Sequence, residues 1–293
     1  MKLGYPCINI NIGCIANSTF RLSSYSKERL IETVENNLDC LEKILNYNLK
    51  NNFLFFRLSS KIIPFASHPI CKFNWQKYFK KKFKNIGKFI NKNKMRISMH
   101  PDQFVLINAL KKDIVNRSIK ELEYHCDVLD LMDLDKTAKI QIHVGGVYGD
   151  KKKAIERFCK NYEKLTFKIR KRLAIENDEK SYNLKDCLLI NKLIKIPVIF
   201  DTLHHEIFNN GETFRQAIIM ASKTWNENDG ILMIDYSNQA KESKKGKHSK
   251  SINTKKFEEF LNQTKGLKFD IMLEIKDKEK SAKKATAVLK KFF

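Results

Sequence analysis

The chain is poor in the residues that interrupt regular structure, with only 10 Gly and 5 Pro among its 293 residues. No stretch rich in Pro, Gly or Ser reads as a linker, so the sequence predicts one folded domain over residues 1–293. The Gly-rich phosphate-binding patterns of dinucleotide and nucleotide sites are also missing. We therefore expect no nucleotide cofactor.

Cysteine motifs and long apolar runs are missing as well. The seven cysteines are odd in number and form no C-x-x-C pair, which argues against both a disulfide framework and a zinc ribbon. No apolar run approaches the ~20 residues of a membrane span, and MKLGYPCINI lacks the apolar core of a signal peptide. We expect a soluble, cytoplasmic protein in a reducing compartment, with no membrane partner.

Acidic residues are outnumbered by basic ones. The chain has 33 Asp and Glu against 56 Lys and Arg, a net charge of +23 and a pI near 9.6. Such an excess favours a polyanionic partner, most often a nucleic acid. Lysine-rich helix faces also occur in proteins without such a partner, so charge alone leaves both interpretations open.

What the chain does contain is an alternation of short apolar runs and amphipathic stretches. The apolar runs predict eight strands, at residues 3–10, 53–59, 95–100, 139–144, 172–177, 197–202, 230–237 and 269–274. Helical spacing predicts eight helices between and after them, at residues 27–50, 74–93, 111–134, 151–170, 183–195, 211–223, 254–265 and 278–292.

Eight strand–helix units of about 37 residues each suit a closed α/β barrel. The competing fold, an open doubly wound sheet, usually carries a Gly-rich first turn that this chain lacks. The sequence therefore predicts the α/β class and a single (β/α)8 TIM barrel. Its active site is expected at the C-terminal face of the strands.

Six of the eight predicted strands end in a histidine or an acid: His100, His143, Glu176, Asp201, Asp235 and Glu274. In a barrel these ends meet on one face, where unpaired carboxylates would be costly to desolvate unless a cation is bound. Imidazoles mixed with carboxylates suit Zn, Mn or Fe. His204 follows the sixth strand closely and His248 lies in a basic loop after the seventh, so both join the predicted cluster. We read His125 and His205 as structural.

Several long and unusual strings carry a resemblance to a known family. They are GYPCINI, FFRLSSKIIPFASHP, RISMHPDQFV, HVGGVYGDK, AIENDEKS, DTLHH and MLEIKDKE, between residue 3 and about residue 280. On these strings the chain resembles the UV damage endonuclease family, which is similar to endonuclease IV in carrying a three-metal cluster at the mouth of a barrel.

The resemblance implies up to three divalent ions, with Mn expected and Zn, Mg or Co as alternatives. His100, His143 and Glu176 would hold one ion. A second would lie among Glu176, Asp201, Asp235 and Glu274, and a third would bind His204 and His248. The resemblance gives Glu176 a catalytic role as the bridging ligand and places His68 near the metals, as a second catalytic candidate.

Two positions depart from the family pattern, because Asp235 stands where members carry His and Met233 where they carry Lys. For DNA, the family's wedge of Gln and Tyr corresponds here to Gln103 and Phe104. The resemblance also assigns lesion contacts to Tyr5 and Asn9, and we expect Arg57 to support the mouth or contact phosphate.

The expected reaction is hydrolysis of the phosphodiester immediately 5′ to a cyclobutane pyrimidine dimer or 6-4 photoproduct, by a monomer acting on double-stranded DNA. Three alternatives remain at this point. They are an abasic-site endonuclease, a metal-dependent sugar isomerase or epimerase, and a non-catalytic nucleic-acid-binding protein.

Overall fold

Eight parallel strands close into a barrel in the computed structural model, which describes residues 1–292. The strands run in chain order around the barrel, and β1 pairs with both β2 and β8. They are β1 (Leu3–Pro6), β2 (Phe55–Leu58), β3 (Arg96–Met99), β4 (Lys139–His143), β5 (Leu173–Glu176), β6 (Val198–Asp201), β7 (Met233–Tyr236) and β8 (Asp270–Leu273). The prediction of a (β/α)8 barrel is confirmed.

Helices surround the strands. They are α1 (Lys27–Lys50), α2 (Trp75–Lys92), α3 (Lys112–Leu131), α4 (Lys151–Glu163), α5 (Phe167–Arg170), α6 (Leu184–Ile194), α7 (Thr202–Ile207), α8 (Phe214–Ser222), α9 (Thr254–Gln263) and α10 (Glu279–Leu289). Helix α1 begins where the Ser26 side chain accepts a hydrogen bond from the backbone N–H of Arg29. Its buried stripe, which includes Leu30, Val34 and Leu38, packs into the main core, and each such side chain contributes roughly 1.5–3 kcal/mol.

Two of the predicted helices differ from the structure. The stretch 151–170 is divided between α4 and α5, because Thr166 adopts an extended backbone conformation between them. The segment after β6 forms the short helix α7, capped by the Asp201 side chain, before α8 begins at Phe214. The side chains of Asp201 and Thr213 accept hydrogen bonds from nearby backbone N–H groups and help to set the boundaries of α7 and α8, which apolar spacing does not reveal.

Strand alternation separates two environments. Phe55, Ala174, Ile199, Met233 and Met272 form a small apolar layer inside the barrel. Neighbouring strand residues point outward into the larger core shared with the helices. At the N-terminal ends of the strands, on the other side of this layer from the mouth, buried ion pairs join Arg96 to Asp270 and Lys139 to Asp229. The inner face of the barrel is thus polar at both ends and apolar between them.

The expectation of no disulfide is wrong for one pair, because Cys14 and Cys40 are bonded to each other. The pair joins the β1–α1 loop to α1 across 26 residues of sequence, a connection that spacing alone does not reveal. The other five cysteines are free thiols. Among residues 1–292, no helix is both long and apolar enough to cross a membrane.

Candidate metal centre

Glu176 lies at the centre of the polar cluster at the C-terminal ends of the strands. One of its carboxylate oxygens, Oε1, is 3.0 Å from His100 Nε2 and 2.8 Å from His143 Nε2. The carboxylate is almost fully buried, whereas both imidazoles are partly open to solvent. Two imidazoles and a carboxylate on neighbouring strands form a donor set that fits a divalent metal ion.

The charges of this trio are interdependent. Burial raises the pKa of the Glu176 carboxyl, but His143 and His100 outweigh it, so the pKa falls well below its ordinary value. Burial lowers the pKa of the His143 imidazole, and the charge of Glu176 reverses that effect and raises the pKa to about 9. Without a metal ion, a proton on the His143 imidazole therefore offsets the charge of the carboxylate.

A second group of carboxylates adjoins the first. Oxygens of Glu176, Asp201 and Asp235 lie within 4.8 Å of one another, and all three residues are buried. Asp201 Oδ1 accepts a hydrogen bond of 2.7 Å from the His204 backbone N–H, but its Oδ2 has no hydrogen-bond partner among residues 1–292. Burial raises the pKa of both Asp201 and Asp235. A buried carboxylate oxygen without a partner, beside two further carboxylates, fits a bound cation.

Arg57 is a buried part of this cluster. Its Nη2 donates to Asp235 Oδ1 at 2.7 Å and to Gln141 Oε1 at 2.8 Å, and its Nη1 pairs with Glu274. The Arg57 side chain is 2% exposed in this structure, and a contact with DNA phosphate stays a prediction. The other predicted role, support of the mouth, also stays a prediction, and the contacts with Asp235, Gln141 and Glu274 favour it.

Gln141 was missed by the sequence reasoning. Its Nε2 bonds to carboxylate oxygens of both Glu176 and Asp235 from within the barrel. The sequence feature that could have identified Gln141 is its position on β4, two residues before His143 and therefore on the same face of the strand.

Two more histidines extend the cluster. His204 Nδ1 bonds to the carbonyl oxygen of Asn177 at 2.9 Å, and His248 Nδ1 lies 2.8 Å from Ser237 Oγ. The ring centroid of His204 lies 6.1 Å from that of His143 and 6.4 Å from that of His248. With each Nδ1 engaged, the Nε2 atoms are the nitrogens left to bind a metal.

A cavity of about 560 Å³ opens above the cluster, and its walls include Arg57, His100, Gln103, Phe104, His143 and His248. Gln103 and Phe104 lie on the β3–α3 loop at its rim. Phe104 is 75% exposed, more than any other large apolar side chain among the described residues. An aromatic ring held out beside a polar cavity is available to a ligand that stacks.

Tyr5 and Asn9, unlike Phe104, are buried in this structure, and their contact with a lesion stays a prediction. The register partners of Gly4, Phe55 and Met272, belong to the inner apolar layer, so Gly4 faces the axis and Tyr5 faces the helices. The Tyr5 hydroxyl bonds to Asn48 of α1 and receives a 2.7 Å hydrogen bond from Asn9. Both Tyr5 and Asn9 are at most 1% exposed.

His68 lies on the loop after β2, and its place near the metals stays a prediction. It is exposed, it accepts a hydrogen bond from the Ile70 backbone N–H, and it lines a second cavity whose walls share Asp102 and Phe104 with the first. Among residues 1–292 its hydrogen bonds and ion pairs do not reach the cluster. A catalytic role for His68 stays a prediction. His125 and His205 are buried and bonded to the carbonyl oxygens of Glu121 and Glu212.

The two departures from the family pattern have different surroundings. Met233 lies in the inner apolar layer, fully buried, and contributes no charge to the cluster. Asp235 lies two residues further along β7, toward the C-terminal end of the strand, and pairs with Arg57. Arg57 is thus the permanent cation beside these carboxylates.

The sequence matches a known protein family along its described length. The model of that family, described as "UV-endonuclease UvdE", matches residues 1–292. The chain belongs to the UV-endonuclease UvdE family. As a member of this family it is an endonuclease, which sets aside the alternatives of a sugar epimerase and of a binding protein without activity.

Individual members of the family support this assignment. The "UV DNA damage endonuclease" of Clostridium perfringens (strain 13 / Type A) is 46% identical over 292 residues, which cover 99% of this chain and 71% of that one. The protein of that name from Bacillus mycoides (strain KBAB4) is 34% identical over 275 residues, or 91% and 87% of the two chains.

Solved structures of other proteins share the barrel fold of this chain. The crystal structure of SacUVDE superimposes with a TM-score of 0.95 at 47% identity, covering 99% of this chain and 98% of that one. Endonuclease IV from Thermus thermophilus gives a TM-score of 0.58 at 11% identity, covering 99% and 100%. A D-tagatose 3-epimerase-like protein gives 0.62 at 14%, covering 100% and 97%. The last two likenesses show the shared barrel fold alone.

Proposed function

We propose that this UvdE-family endonuclease cuts one phosphodiester bond immediately 5′ to a cyclobutane pyrimidine dimer or 6-4 photoproduct in double-stranded DNA. The observation that carries the proposal is Glu176, buried between two imidazoles at the mouth of a barrel whose relatives are UV DNA damage endonucleases. The net charge of +23 suits a DNA substrate. We propose that the enzyme acts as a monomer, without a nucleotide cofactor.

Divalent metal ions, with Mn²⁺ expected, would bind the cluster. His100, His143 and Glu176 would hold one ion, and Glu176, Asp201, Asp235 and Glu274 a second. His204 and His248 would contribute to a third. Such ions supply Lewis acidity that stabilises negative charge on a reacting phosphate. The role of Arg57 and Gln141 is to hold the carboxylates of the second group in place.

The deciding experiment is a nicking assay on a duplex with one defined cyclobutane dimer, with Mn²⁺ or with EDTA, beside undamaged and abasic duplexes. We expect a single cut directly 5′ to the dimer that requires the metal. If the protein binds its metal ions but does not cut next to the lesion, the proposal is wrong. Cutting at the abasic site alone would establish the abasic-site alternative.

Phe104→Ala is expected to weaken binding to dimer-containing DNA about 5- to 150-fold, since base–aromatic stacking contributes roughly 1–3 kcal/mol. Because the ring is 75% exposed, its removal leaves the fold intact. Fluorescence anisotropy on lesion and undamaged duplexes would measure the change.

The matched control for this prediction is Phe167→Ala. Phe167 is 65% exposed but precedes β5, on the opposite face of the barrel, so its loss should leave binding unchanged. Equal effects of the two substitutions would contradict a role for Phe104 in holding DNA.

Metal binding should release protons and strengthen as the pH rises. Burial lowers the pKa of His143 and of His204, but nearby carboxylates outweigh it and raise these values to about 9 and about 10 in the metal-free protein. Both imidazoles are therefore protonated at pH 7 and must lose the proton to bind a metal. The apparent affinity for Mn²⁺ should rise about tenfold per pH unit for each proton displaced, between about pH 6 and about pH 9.

Isothermal titration calorimetry at about pH 7, in buffers of different ionisation enthalpy, would count the released protons. The substitutions His143→Gln and His204→Gln should each remove one proton from that count. An affinity that does not vary with pH would show that these imidazoles are not ligands.

A further inference from the structure

Glu179 lies beside the part of the cluster that lacks an assigned carboxylate. Its Oε2 is 3.7 Å from His204 Nε2, the ring nitrogen that is not engaged by the backbone. Two ligands of one ion, each about 2.0–2.2 Å from it, lie roughly 3–4 Å apart, so this separation suits a shared ion. The Glu179 side chain is 31% exposed and thus reachable from the mouth.

The loop that carries Glu179 is held in place on both sides. Asp178 accepts hydrogen bonds from the backbone N–H groups of Lys180 at 2.9 Å and Tyr182 at 3.0 Å. Asn177 exchanges hydrogen bonds of 2.9 and 3.0 Å with the backbone of Asp201. A carboxylate on a fixed loop loses little conformational entropy when it binds an ion.

Gly246 provides the space for Glu179. A Cβ atom at Gly246 would come within 3.2 Å of Glu179 Cγ, and the glycine has a φ of +83°, in the left-handed region. The glycine lies two positions before His248, and its backbone N–H donates a 2.9 Å hydrogen bond to Gln239 Oε1. The loop that delivers His248 therefore passes directly against the side chain of Glu179.

His248 completes the set of donors. Its Nε2 is free of the Ser237 contact and lies 3.6 Å from Glu274 Oε2. Two neutral imidazoles bind a divalent ion more tightly when a carboxylate offsets part of its charge. Asp201 does not fill that role from its present position, since it approaches the engaged Nδ1 side of the His204 ring.

We infer that Glu179 is a ligand of the third metal ion, together with His204 and His248. The inference rests on the proposed function only in that it takes the cluster to hold metal ions. Because Glu179 comes from the β5–α6 loop and His248 from the loop after β7, the ion joins two loops across the mouth.

Mn²⁺ binding by Glu179→Gln tests the inference, with Glu242→Gln as the matched control. Glu242 is an exposed acid in the same loop as His248, so its change alters the charge equally without altering a donor. Equilibrium dialysis with metal analysis gives the stoichiometry, and titration calorimetry gives each affinity. We expect three ions on the wild type and the control, and a third ion bound at least about tenfold more weakly by Glu179→Gln.

Gly246→Ala provides a second variant with all donors retained. The added methyl group crowds Glu179 and, at a φ of +83°, strains the loop that carries His248, so the third ion should again bind more weakly while the other two are unaffected. Equal third-site affinities for Glu179→Gln and Glu242→Gln would overturn the inference. A wild type that never holds a third ion would overturn it too.

The nicking assay separates this inference from the proposed function. If the wild-type protein nicks at the lesion but holds only two ions, the nuclease function is supported and the third metal site is excluded. Three ions that depend on Glu179, without nicking, would support the metal site and count against the proposed function.

Discussion

Glu176→Gln is expected to reduce the rate of nicking at a dimer by at least about a thousandfold. Glu176 is the residue common to both candidate metal groups, and it lies within hydrogen-bonding distance of His100 and His143. Glutamine keeps the shape but loses the charge, and metal-ion catalysis contributes several kcal/mol, at about 1.4 kcal/mol for each factor of ten. Single-turnover nicking with saturating Mn²⁺ would measure the loss.

Glu156→Gln is the control for this change, because Glu156 is an exposed acid on α4. Thermal unfolding of both variants would establish that the barrel is intact. A Glu176→Gln enzyme that nicks within about tenfold of the wild-type rate would exclude Glu176 as the central ligand.

Arg57→Met is expected to destabilise the metal-free protein by about 3–5 kcal/mol, the usual result of removing one partner from a buried ion pair. The guanidinium pairs with both Asp235 and Glu274. Burial raises the pKa of Glu274, but Arg57 outweighs it and brings the pKa down to about 2. Methionine fills much of the same volume but leaves these carboxylates without a cation. Urea unfolding in EDTA would measure the free energy of unfolding.

Lys82→Met is the matched control, since it removes a lysine that pairs with Asp39 at the surface, where such pairs contribute about 0–1 kcal/mol. Adding Mn²⁺ should restore part of the stability of Arg57→Met, because a metal ion supplies positive charge to the same carboxylates. A loss below about 1 kcal/mol in EDTA would contradict the structural role assigned to Arg57.

Much of the cluster was accessible to sequence reasoning because strand ends in a barrel converge. The six strand-end residues, with His204 and His248, meet at one mouth as expected from their positions. Their roles as metal ligands and the assignment of residues to ions stay predictions. Gln141 was missed because an uncharged side chain within a strand looks like ordinary structure.

The sequence did not reveal the surroundings of side chains whose direction depends on packing. Tyr5 was expected to face DNA, yet strand alternation turns it toward α1, where its hydroxyl bonds to Asn48. Arg57 was expected to support the mouth or reach phosphate, and in this structure it lies among carboxylates inside the barrel. His68 follows β2 closely in sequence but turns into a neighbouring cavity.

The sequence by itself determined the class of fold and the membership of the cluster. Short apolar runs alternating with helical spacing dictate a parallel sheet covered by helices, and acids and histidines at strand ends mark its mouth. Only the tertiary structure decided the partners: Arg57 with Asp235, Glu179 with His204, and Cys14 with Cys40. Each pair joins residues from separate segments, and their contact depends on register, loop path and side-chain direction, which local sequence patterns do not encode.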